Sequence, residues 1–227
     1  MFQGFSQQTV DFLWGIRFNN EKSWFEAHKQ DYLNHLYQPM KELGAEVQEK
    51  LLERFPDSQL NLKISRIYRD ARRLFGRGPY KDHLWLSLFR WDGGEDGARP
   101  VLWFELTPDD FSYGMGFWCA KAVVMEKHRA RMDGNCRPLL ELAERLNSQD
   151  RFTLNGPEYS RKKTPPHSLL TDWYNKKSLS VGYESPLTEE LYSPGLVDTL
   201  VDGFTFLMPY YDYFSTLWAD ADPRESH

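Results

Sequence analysis

Seven cations crowd the stretch from Lys63 to Lys81: Lys63, Arg66, Arg69, Arg72, Arg73, Arg77 and Lys81, against one carboxylate, Asp70. Guanidinium groups are planar, permanently charged forks of N–H donors that fit carboxylate or phosphate oxygens. Such a stretch is solvated, or neutralised by acids from elsewhere in the fold, or built for an anionic partner. If residues 62–70 are extended, Ile64, Arg66, Tyr68 and Asp70 share one face, and Lys63, Ser65, Ile67 and Arg69 share the other. Each face then sets a cation beside an aliphatic side chain, so at least one arginine lies close to core and needs an acid. Asp70 and Glu105 are the candidate ion-pair partners.

Three functions follow from that chemistry, and the residues alone leave all three open. In the leading one, Arg66, Arg69, Arg72, Arg77 and Lys81, with Tyr80 alongside, bind a small phosphate- or carboxylate-bearing ligand. In the second, the chain is an enzyme acting on a phosphorylated or carboxylated metabolite, with Asp70 or His83 as acid–base group. In the third, Arg66, Asp70 and Glu105 form an internal salt-bridge hub, and the protein works by binding another protein.

Other chemistries find less support. Gly76-x-Gly78-Pro79-Tyr80-Lys81 lacks the spacing of a phosphate-binding Walker loop and reads as a tight turn aiming Tyr80 and Lys81. The six histidines contain no His-Glu-x-x-His, and Cys119 and Cys136 have no ligand spacing, so neither a metal nor a cofactor is expected. His28 and His35, seven apart on a helix face, read as packing or surface residues. Ser112, Gly114 and Gly116 alternate with Phe111, Tyr113, Met115 and Phe117, giving a strand with one bulky and one bare face. Glycine there marks a bulge, or the close approach of backbone or a ligand. Arg161-Lys162-Lys163 and Lys176-Lys177 read as solvated loop charge.

The elements that must position these groups follow from periodicity. A helix starts at Ser6, with Phe5 stapled to Val10, and ends at Asn19-Asn20. Asn20 caps a second helix carrying Trp24, Phe25, His28, Tyr32 and Leu36, and Pro39 opens a third that stops before Pro56. Strands are expected at 62–68, 84–91, 101–107 and 111–118, with a glycine-rich loop at 92–98. The connections are too short for crossover helices, so the pairing is antiparallel. Helices return at 121–132 and 137–146, two short strands lie near 152–154 and 179–183, and a last helix runs from Pro194 to about 217. Helices, then strands, then helices make an α+β fold: a central, mostly antiparallel sheet packed by N-terminal and C-terminal helices. No linker, repeat or low-complexity tract divides the 227 residues, so one domain is expected.

Composition narrows the partners. With 41% hydrophobic and 15% aromatic residues the chain folds. A net charge of −5 argues against general nucleic-acid binding. No leader or apolar span is visible, which points to a soluble cytoplasmic protein with free thiols and no membrane partner.

Asn19-Asn20, Trp24-Phe25, Tyr32 and Pro39, then Arg66-x-Tyr68-Arg69-Asp70-x-Arg72, Pro79-Tyr80-Lys81 and the Gly114-x-Gly116 strand together resemble a widespread microbial family, domain of unknown function 2461. The resemblance runs from about Phe5 to Leu217. Family members typically read Arg-Phe-Ser-Lys-Asp-Lys-x-Pro-Tyr-Lys, where this chain has Leu74, Phe75 and Gly76 in place of the serine, first lysine and aspartate, and Arg77 in place of the second lysine. The resemblance implies that Arg66, Tyr68, Arg69, Asp70, Arg72, Pro79, Tyr80 and Lys81 are the shared feature, and it implies no activity.

Overall fold

Leu84, Leu86 and Leu88 are fully buried along one strand, and Leu102, Phe104 and Leu106 along another, each alternating with less buried residues. That period of two gives a sheet whose leucine face is covered by helices. A computed structural model describes residues 1–70, 72, 74, 76–90 and 99–225. The strands are β1 (Leu60–Ile64), β2 (Leu84–Arg90), β3 (Val101–Leu106), β4 (Asp110–Gly116), β5 (Thr153–Asn155) and β6 (Ser180–Pro186). They form one antiparallel sheet in the order β1-β2-β3-β4-β6-β5, the expected α+β architecture. The glycine-rich loop expected at 92–98, Arg73 and His227 lie outside the described residues.

The residues group into two compact units. The first comprises Met1–Arg90, Trp103–Tyr113 and Glu184–Asp202. Its helix α1 (Gln7–Phe18) starts as expected at Ser6, whose backbone N–H donates to Thr9 Oγ1 at 3.1 Å, and buries Val10, Phe12, Leu13 and Ile16. Phe5 stacks on Phe104 at 6.1 Å. Helix α4 (Gln38–Arg54) packs on β1 and β2 so closely that a Cβ at Gly44 would lie 2.8 Å from a Leu62 methyl.

Two expectations for this unit need correction. Asn20 does not cap the second helix. The segment breaks into α2 (Lys22–Ala27), a single turn α3 (Lys29–Asp31) and a π turn, Tyr32–Tyr37, that runs straight into α4. Pro39 accounts for the π turn. It has no N–H to give the carbonyl four residues back, that of His35, and its ring crowds that oxygen. Thr9 Oγ1 supplies the missing donor, at 2.5 Å from the His35 oxygen. Second, the strand expected at 62–68 ends at Ile64. Its register pairs Ile64 with Leu86, and beyond it only an isolated bridge, Tyr68 to Tyr80, continues the ladder. Just past Ile64 the Trp85 N–H donates to the Ser65 side-chain oxygen at 3.1 Å instead of a backbone carbonyl, which interrupts the ladder.

The second unit comprises Trp91–Leu102, Gly114–Tyr183 and Gly203–His227. It contains α5 (Ala122–Gly134), α6 (Arg137–Asn147), the short α7 (Thr171–Asn175) and the C-terminal part of α8 (Leu196–Ser215), which runs through Pro209. Phe152 stacks on Phe206 at 5.3 Å, and Trp173 lies parallel to Tyr210 and Phe214. Arg131 grips Asp220 through two 2.7 Å hydrogen bonds. At Gly116 (φ +154°) a Cβ would fall 2.5 Å from Ser180 Cα, so this glycine serves close backbone approach. The basic knots are partly neutralised: Lys162 and Lys176 both reach Glu158, at 2.8 and 3.1 Å.

Candidate functional site

Everything in the candidate site belongs to the first unit. Asn20, just after α1, donates from Nδ2 to the Tyr80 carbonyl and accepts from the Tyr80 N–H through Oδ1, both at 2.9 Å. The side-chain amide thus acts as a piece of neighbouring strand. It comes so close that a Cβ at Gly78 would lie 2.2 Å from Asn20 Oδ1, which is why the turn carries glycine there. Tyr80 is buried, with its ring stacked on Phe25 at 4.3 Å and beside Tyr68 at 5.3 Å. Arg69 N–H donates to the Pro79 carbonyl and Lys81 N–H to that of Ile67, at 2.8 and 2.7 Å. Two short segments, 65–69 and 79–83, are therefore locked side by side.

Asp82 sits at the centre of what they present. Arg17 Nε donates to its Oδ2 at 2.7 Å, while Arg69 Nη2 and His83 Nδ1 approach Oδ1 at 3.4 and 3.3 Å. Arg17 also holds Asp109 at 2.5 Å, and Arg69 Nε donates to the Tyr80 carbonyl at 2.7 Å. On the far side of the imidazole, His83 Nε2 faces Glu105 Oε1 at 3.7 Å. That is too long for a direct hydrogen bond. Lys81 lies over the Trp85 ring, its Nζ 5.7 Å from the centroid.

The electrostatics pull these groups apart in instructive directions. Burial opposes ionisation of Asp82, but the Arg17 hydrogen bond and charge, the backbone and His83 outweigh it and hold the carboxyl below its usual range. Burial lowers His83; the Asp82 hydrogen bond and charge offset this in part, and Lys81 and Arg69 add to it. Burial raises Glu105, with Asp110 and Asp82 reinforcing and Lys81 opposing. Burial also lowers Lys81, helped by Arg69 and Arg66 and countered by Glu105. An imidazole made easier to deprotonate thus faces a carboxyl made easier to protonate.

The sequence-based candidates distribute unevenly over this geometry. Arg69, Lys81, His83 and Glu105 come together, and Arg66 is near enough to act on Lys81. Tyr80 is internal, and its ring is spent on the aromatic stack. Arg72 is 87% exposed and pairs with Asp70, its neighbour in sequence, at 2.7 Å. Arg77 is exposed. The anticipated Arg66–Asp70–Glu105 network is replaced by one centred on Asp82, and Arg66 has no carboxylate partner among the described residues. The sequence reading missed Asp82, Arg17, Asp109 and the Asn20 clamp. Asp82 was the detectable one, because it stands between Lys81 and His83 in the same short run. Nothing local in the sequence links Arg17 or Asn20 to that run.

No group of three or more His, Cys, Asp or Glu suited to a metal ion occurs among the described residues, and both cysteines are free. No helix among them is long and apolar enough to cross a membrane. No curated protein matches the chain. A family model described as conserved hypothetical protein (DUF2461) does match, over residues 8–213, with the Asn20 clamp and the Asp82 cluster inside that span, so the chain belongs to the DUF2461 family.

Proposed function

We propose that His83 and Glu105 carry a proton to or from a small anionic substrate, with Asp82 orienting the imidazole and Lys81 and Arg66 attracting the substrate's phosphate or carboxylate. The observation that carries this reading is the position of His83, whose two ring nitrogens face two different carboxyl groups while 25% of its side chain stays open to solvent. A carboxylate fixed on Nδ1 selects the tautomer with Nε2 free to accept a proton. Opposite shifts in His83 and Glu105 bring their affinities for that proton closer, which favours transfer between them. The 3.7 Å separation is only slightly beyond hydrogen-bond range, so a small side-chain adjustment brings the two groups into contact. Asp82 and Asp109 balance Arg17 and Arg69, so Lys81 and Arg66 supply the remaining positive field.

The test is a thermal-shift screen against inorganic phosphate, citrate and nucleoside monophosphates, followed by turnover assays on the compounds that stabilise. The expected result is a rise in Tm with at least one anion, and turnover lost in His83→Ala and Glu105→Gln while both variants stay folded. Absence of stabilisation by every anion overturns the reading.

A second reading is favoured by one specific observation: Asp82 ties α1 to both short segments through Arg17 and Arg69. In that case the arginine stretch is an architectural hub, and Asp82→Asn loosens the fold whether or not any anion binds.

A further inference from the structure

Positive charge also concentrates in the second unit, away from the cluster around Asp82. Residues 114–183 carry twelve lysines and arginines against seven acids, in a chain whose net charge is −5. The two basic knots that read as separate loop charge are joined by a bridge between Glu158 and Lys176. On either side of it, the Tyr159 N–H donates to the Asn175 carbonyl at 2.9 Å and the Lys177 N–H to that of Pro157 at 2.7 Å. Asn175 is buried and devotes its side chain to the same task. Its Oδ1 accepts from the Lys163 N–H at 2.9 Å, and its Nδ2 donates to the Lys163 and Thr171 carbonyls at 3.1 and 2.9 Å. A loop clamped by a buried amide presents its charges with little ordering left to do on binding.

Most of that charge is not cancelled locally. Glu158 is taken by Lys162 and Lys176. Asp133, four residues on from Arg129, accepts from the Tyr174 hydroxyl at 3.0 Å. Arg129, Arg161, Lys163 and Lys177 have no carboxylate within ion-pair distance among the described residues. Arg129 and Lys177 lie instead against the Tyr159 ring, 4.8 and 5.8 Å from its centroid.

A second observation is independent of charge. Trp118, in the turn after β4, is 82% exposed. The turn is pinned beside the basic loop: Ser178 Oγ accepts from the Ala120 N–H, and the Leu179 carbonyl from the Phe117 N–H, both at 3.0 Å. Trp118 is therefore anchored next to Ser178 and Leu179, which directly follow Lys177. An indole this open buries little for the fold and offers a flat face for stacking.

The pairing of a free aromatic face with unpaired cations selects the ligand. A single nucleic-acid strand has a row of phosphates and bases free to stack. A duplex keeps its bases stacked inside. An anionic bilayer asks for several apolar anchors, whereas the neighbours of Trp118 are the buried Phe117 and the small Cys119 and Ala120. We infer that this face of the second unit binds single-stranded nucleic acid without reading its sequence, a base stacking on Trp118 and phosphates meeting Lys177, Arg129, Arg161 and Lys163. The acidic remainder of the chain confines such binding to this patch. The inference does not depend on the proposed chemistry at His83.

The measurement is fluorescence anisotropy of labelled oligothymidylate titrated with the intact chain. Four phosphate contacts predict roughly a fiftyfold loss of affinity between about 50 and 200 mM salt. Trp118→Ala should weaken binding about five- to hundredfold at either salt concentration. Arg161→Ala, Lys163→Ala and Lys177→Ala combined should weaken binding and cut the salt effect to about threefold. These three side chains are exposed and the loop is clamped through backbone groups, so the triple variant should keep its Tm. Should it fail to fold, Trp118→Ala decides alone. Lys22→Ala with Lys29→Ala, two exposed cations of the first unit, should leave binding unchanged. No binding at the lower salt, binding untouched by Trp118→Ala or by the triple variant, or equal affinity for a duplex of the same length overturns the inference. Sedimentation with phosphatidylserine vesicles in the absence of any oligonucleotide binding overturns it in favour of a membrane surface.

Discussion

Two histidines of this protein are both pushed to lower proton affinity by burial, and they sit in opposite surroundings. His83, in the first unit, lies between Asp82 and Glu105 with part of its ring in solvent. His128, in the second, is fully buried beside Tyr213 and Phe214, and neither ring nitrogen makes a hydrogen bond of ordinary geometry among the described residues. Burial drives the His128 pKa down to about 3, compensated only in part by the backbone of Trp173, and the nearby Arg131 and Arg129 push the same way. A buried imidazole without a carboxylate is an aromatic filler that must stay neutral. An imidazole with a carboxylate on each side can change its protonation at modest cost. Depressed proton affinity alone therefore does not identify a working histidine; its partners and its access to solvent do.

The largest effect should come from acidifying the protein. The folded His128 refuses a proton that the unfolded chain accepts below its usual value of 6.5, so stability is full above that pH and is lost as the pH falls toward 3. The slope from this group is about 1.4 kcal/mol per pH unit. His128→Leu, which keeps the apolar contacts, should flatten urea-derived stability over that window and hold or raise Tm at pH 7. An unchanged slope would place the acid sensitivity elsewhere.

Next in size is Asp82→Asn, which leaves Arg17 and Arg69 without their shared anion. With 23% of the Asp82 side chain exposed, the cost should be about 1–3 kcal/mol, below that of breaking a fully buried pair. Because the folded Asp82 pKa is depressed, its contribution is complete above the ordinary carboxylate range and is lost as the pH falls through the folded value, a lower window than that of His128. The same substitution should move the His83 titration further down, since Asp82 is what holds it up; imidazole NMR measures this directly. A midpoint that does not move would mean that Asp82 does not orient His83.

Smallest of all is Asp70→Asn. Its ion pair with Arg72 is in solvent, so loss of that pair should lower Tm less than Asp82→Asn does, although the segment is the most arginine-rich in the chain. A clear loss of stability would restore Asp70 to the centre of the arginine stretch.

Much of the fold could be read from the residues. Alternating leucines announced β2 and β3, and Ser6 announced the start of α1, because these signals are local. The π turn could not be read, because it needs both the missing N–H of Pro39 and a donor, Thr9, some thirty residues earlier to receive the freed carbonyl. The early end of β1 was equally hidden, since it depends on the Ser65 hydroxyl taking the Trp85 N–H where a backbone carbonyl would continue the ladder. At the candidate site, His83 and Glu105 were visible as candidates. Their pairing was not, and Asp82 went unweighed because Asp70 stands among the arginines and sequence proximity was the only distance available.

By itself the sequence determined the α+β class, the order of the elements, the family resemblance and the run of residues where charge concentrates. These rest on periodicity, on local capping and on residue identity, which one strand of text contains. The tertiary structure decided which cations are cancelled and which are left over. A guanidinium takes the carboxylate that packing brings within about 3 Å, and Arg17, from the first helix, reached Asp82 across more than sixty residues of chain.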